Sequence, residues 1–71
     1  MKYLVIIEKG RHSWGAHVPD LPGCIAAAKT RAQVVKLIKE AIQFHIEGLK
    51  AAGRRVPPPH TEGKVVEVTA A

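Results

Sequence analysis

The stretch TRAQVVKLIKEAIQFHIEGLKAAG, residues 30–53, reads as the one helix of a 71-residue chain. Thr30 is a good N-cap acceptor, and Gln33 follows three residues later, as in a capping box. Gly53 suits the left-handed position just past a helix end. Between these limits Val34, Ile38, Ala41, Ile42, His45, Leu49 and Ala52 recur at helical spacing and form one apolar stripe. Lys36, Lys39, Glu40, Gln43, Glu47 and Lys50 fall on the opposite face. A helix of about 22 residues would span roughly 33 Å. Gly48 lies inside it, where glycine costs about 1 kcal/mol relative to alanine, so a close approach is expected there.

Upstream of the helix the period changes from helical to two. KYLVIIEK reads as a strand with Tyr3, Val5 and Ile7 on one face and Leu4 and Ile6 on the other. GRHS supplies a turn. WGAHV is a second strand, with Trp14, Ala16 and Val18 on one side and Gly15 and His17 on the other. VPDLPGC, residues 18–24, cannot belong to a central strand, because Pro19 and Pro22 lack backbone donors. It reads as a rigid loop before a third strand, CIAAAK. Downstream, residues 53–62 read as a linker, since Pro57, Pro58 and Pro59 exclude helix and favour an extended path. KVVEVTA closes the chain as an expected fourth strand, at a sheet edge or paired with another subunit.

The fold class is therefore α+β: a β-β-β-α-β two-layer domain with one long helix packed on a small sheet, one domain over residues 1–71. One helix covers only one face of such a sheet. The first strand is apolar on both faces, and an uncovered apolar face marks an interface. So short a chain also buries a small core, roughly 60% of its unfolded surface. Self-association, as a dimer or tetramer, is the expectation.

Eleven Lys and Arg against six Asp and Glu give a formal charge of +5, and the aromatic content is 4%. That charge fits a nucleic-acid or acidic partner without specifying either. One cysteine excludes an internal disulfide and fits a reducing cytoplasm. The apolar run from Tyr3 to Ile7 is too short for a signal peptide or a membrane span.

The chemistry-bearing residues do not assemble into a catalytic set. Asp20 is the only aspartate, and carboxylate hydrolysis needs acids in pairs; it reads as a turn residue bonding nearby amides. Cys24 would need an activating histidine and a third group, with His17 the one conceivable neighbour; it reads as a small buried residue. His45 lacks ligand partners at neighbouring helical positions and reads as structural. No metal or cofactor is expected, and the chain is not expected to be an enzyme. RHSWGAH offers the best recognition surface, because tryptophan and arginine are frequent binding hot spots. Arg11, His12, Trp14, His17 and Asp20 are the candidate partner-binding residues. Lys50, Arg54, Arg55 and Lys64 are the candidate phosphate contacts.

Taken together, MKYLVIIEKG, WGAHVPDLPGC, the threonine opening the helix and EAI..HIEGL near its end resemble the HicB-like antitoxins over residues 1–59. The resemblance implies a partial ribonuclease H-like β-β-β-α-β fold without its catalytic acids. It also implies oligomers and binding to a small RNA-cleaving HicA-type toxin. Many family members carry a further C-terminal DNA-binding domain. The 71 residues hold no such module, so a stand-alone antitoxin-like domain is expected. The alternative is a small basic nucleic-acid-binding protein, which would bind with a steep salt dependence.

Overall fold

In a computed structural model describing residues 1–70, the order is β1 (Ile6–Lys9), β2 (Trp14–His17), β3 (Ile25–Ala28) and α1 (Arg31–Ala51). The strands form an antiparallel sheet in the order β1-β2-β3. Ile7 pairs with Ala16 and Ala16 with Ala26, while Ile6 pairs with His17 and His17 with Ile25. The register sorts the residues by face. Tyr3, Val5, Ile7, Trp14, Ala26 and Ala28 pack against the core under α1. Ile6, Glu8, Gly15, His17, Ile25 and Ala27 take the other face.

The expected α+β class holds, with local differences that have physical reasons. β1 begins at Ile6 and not at Lys2. Continuing the register, Leu4 would oppose Pro19, the next β2-side residue due to bond β1, and Pro19 has no N–H to donate. The ladder stops where its donors stop. The expected fourth strand is not paired: residues 64–70 join no sheet, and Val65, Val66 and Val68 are exposed. A strand needs a neighbour for its backbone groups, and this segment bonds to none of the three strands.

The helix boundaries follow local chemistry closely. Thr30 has extended backbone, and its Oγ1 accepts from the Gln33 N–H at 3.1 Å. Gly53 takes the left-handed conformation (φ 69°), with its N–H donating to the Lys50 carbonyl. Val34 and Ile38 are buried, and Ala41, Ile42 and Ile46 pack beside them. His45 is half-buried and outside this cluster; Ile46 takes the place given to it by the sequence pattern, and Ala52 is exposed. A Cβ placed on Gly48 would meet nothing within 4 Å, so the expected close approach is absent. Gly48→Ala should accordingly raise stability by about 0.5–1 kcal/mol, read as a higher urea midpoint with an unchanged m-value. A lower midpoint would mean that something does pack on this glycine.

Candidate functional site

The loop between β2 and β3 is two consecutive tight turns. Leu21 N–H donates to the Val18 carbonyl at 3.1 Å, and Cys24 N–H to the Leu21 carbonyl at 3.0 Å. Proline fills the second position of each turn, Pro19 in one and Pro22 in the other, where its fixed φ is already correct. Gly23 takes φ 84° at the third position of the second turn, as a type II geometry requires. This winding turns Val18, Leu21 and Cys24 inward, where all three are buried with Ala16, Val34 and Ile38. The loop is part of the core.

Asp20 is carried inward with them and is 5% exposed. Its Oδ2 accepts from the backbone N–H groups of His60 and Thr61, both at 2.9 Å. Oδ1 accepts from the Thr61 hydroxyl at 2.6 Å and faces His60 Nε2 at 3.1 Å. These donors hold the carboxyl down at about 2, the Thr61 hydroxyl most, then the two N–H groups and the His60 ring, while burial works against them. The partners of Asp20 are thus forty residues away, not the nearby amides that the sequence pointed to. Tyr3 adds a second tie, its hydroxyl donating to the Pro57 carbonyl at 2.5 Å. A third contact lies at Gly63, where an added Cβ would stand 3.2 Å from Leu4 Cδ1. The linker is therefore clasped against the start of β1 and the β2–β3 loop. His60, Thr61 and Tyr3 are the clasp residues the sequence reading missed. A polar His-Thr pair directly after three prolines was the signal for the first two.

The other candidates divide between two faces. Arg11, His12 and Ser13 form the exposed β1–β2 turn, closed by Gly10 N–H donating to the Ser13 carbonyl at 2.7 Å. Trp14 is half-buried against the core, with Lys9 Nζ 5.8 Å from its ring centroid. His17 points to the uncovered face, with Nδ1 4.0 Å from Glu8 Oε1. An open depression of about 480 Å³ on this side is lined by Glu8, His17, Pro19, Pro22, Cys24 and Ile25. Burial pushes the Cys24 thiol upward, away from the reactive thiolate. Among the described residues no group of three or more His, Cys, Asp and Glu could hold a metal ion, and no helix is long and apolar enough to cross a membrane. Lys50, Arg54 and Arg55 are exposed together at the C-terminal end of α1, where cations oppose the negative end of the helix dipole. Lys64 stands apart from them, beyond the clasp.

Three antiparallel strands backed by one helix, with one sheet face open, define a two-layer α+β domain. The chain belongs to the HicB-like antitoxins of bacterial toxin–antitoxin systems, whose family profile matches residues 3–69. A UPF0150 protein of Thermoplasma acidophilum is 41% identical over 63 residues, covering 87% of this chain and 91% of that protein. A 14.9 kDa protein of Haemophilus phage HP1 is 40% identical over 57 residues, which span 80% of this chain and 43% of the phage protein. Among solved structures, a chain of a HicA3–HicB3 toxin–antitoxin complex superposes with a TM-score of 0.71 at 35% identity, covering 83% of this chain and 70% of that one.

Proposed function

We propose that this chain is a non-catalytic, cytoplasmic antitoxin subunit that neutralises a HicA-type RNA-cleaving toxin by binding it. The observation that carries the reading is the likeness to a chain of the HicA3–HicB3 complex. Several features of the site support it. The only aspartate is engaged by donors of its own chain, the only thiol is buried with its pKa raised, and the open sheet face is rigidly backed. A single free, buried cysteine also fits a reducing compartment.

Arg11 and His12 on the exposed turn and His17 on the open face are the contacts this reading places against the toxin. Trp14 and Lys9 brace the turn, and Asp20 acts from inside by fixing the loop beside His17. Self-association belongs to the same reading, with the subunit's open surfaces divided between a second copy and the toxin.

Co-expression with a HicA-type toxin encoded beside it should relieve the toxin's growth arrest and yield a co-purifying complex. An Arg11→Glu/His17→Glu double variant should weaken that complex at least ~10-fold, as loss of a well-packed charged contact does, with its circular dichroism unchanged. Toxin activity left intact by excess antitoxin, with no complex in pull-down, would sink the reading. The same preparation titrated with RNA and DNA addresses the alternative through Lys50, Arg54 and Arg55. Tight binding that falls steeply with salt would favour it.

A further inference from the structure

Residues 64–70 leave the clasp at Gly63 with the sequence of a strand and no sheet to join. Val66 and Val68 share one face with Lys64, while Val65, Glu67 and Thr69 share the other. Every residue of the segment is exposed, Val65 at 99% and Val68 at 78%, and among the described residues no backbone hydrogen bond ties it to the rest. The segment contributes to an elongated outline, 52 Å in its longest dimension, with a radius of gyration of 14.2 Å against about 11 Å for a compact chain of this length. An exposed, valine-rich stretch of unpaired backbone is a template for pairing with another chain.

The sheet has a matching vacancy. β3 is an edge strand, and its outer side opens onto α1 through two adjoining grooves of about 410 Å³ each. Their apolar walls are Ala26, Ala28, Leu37, Ala41 and Phe44, and Phe44 is 78% exposed. Small side chains on β3 leave this gap between sheet and helix unfilled. β1 is the sheet's other edge; the linker touches the chain at Tyr3 and Leu4, before that strand begins, and the two grooves adjoin β3 and not β1.

We propose that residues 64–70 of one copy add as a strand to the β3 edge of a second copy, reciprocally, with Val66 and Val68 seated in the groove beside Leu37 and Phe44. The segment's own β3 is out of reach in this role. From the clasp beside β1 to a new strand outside β3 is about three strand spacings, roughly 14 Å, which consumes Lys64 to Glu67 before pairing begins. Seven extended residues span roughly 23 Å, ample for the four residues of β3 in a neighbouring copy. Charge sets the direction. A strand parallel to β3 places Glu67 near the end of β3 that carries Lys29, on the open sheet face, and keeps Lys64 at the other end. The exchange gives a form to the self-association in the proposed function and rests on that part of it, while its test needs only this chain and so stands or falls apart from toxin binding.

Size-exclusion chromatography with light scattering on the isolated protein tests it. The expected mass is twice the 7.7 kDa of the chain. Val66→Lys/Val68→Lys and, separately, Leu37→Lys/Phe44→Lys should each halve the mass with the helical circular dichroism unchanged, since all four side chains are exposed in the single subunit. Mixing the two variants should give a heterodimer held by one of the two exchanges and weaker than the wild-type dimer. A monomeric wild type, or a dimer that survives either pair of substitutions, would overturn the proposal.

Discussion

Leu21→Ala is expected to cost about 3 kcal/mol, within the usual range for a fully buried leucine. Leu21 has no exposed surface, and two proline turns fix the backbone that carries it, so the site cannot collapse easily around the smaller side chain. Seventy-one residues have a total stability of roughly 4–10 kcal/mol, so this one substitution removes a large share of it. Urea unfolding followed by far-ultraviolet circular dichroism measures the loss. A change under ~1 kcal/mol would mean that the loop yields and that its burial with Val34 and Ile38 matters little. The expected result would make VPDLPGC a structural keystone whose prolines aim a core residue.

The second large effect is expected at Asp20. Asp20→Ala leaves the backbone N–H groups of His60 and Thr61 without their acceptor. A fall in Tm of roughly 5–10 °C follows from losing several charge-assisted bonds in so small a domain. The linker should be released as well, so cleavage by a nonspecific protease at residues 56–62 should quicken far more than cleavage within α1. The pH dependence has a definite sign. The folded pKa, about 2, lies below the ordinary 3.8, so the unfolded chain takes up the proton first as the solution is acidified. The clasp therefore contributes fully above the ordinary value, and its contribution is lost as pH falls from 3.8 toward 2. Asp20→Asn should flatten the stability profile within that window. An unchanged acid limb in the variant would show that the clasp contributes nothing to it.

Legibility in the sequence followed the range of the interactions. The helix ends at Thr30 and Gly53 were readable because caps act within a turn of the chain. The opposite faces of Trp14 and His17 were readable from a period of two. Asp20 was read as a residue of its own turn because nothing near it names His60 and Thr61 as donors. Gly48 was read as a packing site, yet that side of α1 faces open space. The closing strand could be read as a strand from its valines, but pairing depends on a neighbour that a single chain does not supply. Arg11 and His12 were readable as recognition candidates from the arginine and tryptophan of their turn; the toxin proposed as their partner has no local signature and comes from the family likeness.

The clasp also bears on the order of folding. β1–β2, β2–β3 and α1 all join residues close along the chain, whereas Asp20 and Tyr3 wait for partners 40 to 54 residues further on. Loop closure over such distances follows local structure formation. A folding chain is therefore expected to form its sheet and helix first, with Asp20 unsatisfied, and to close the clasp afterwards.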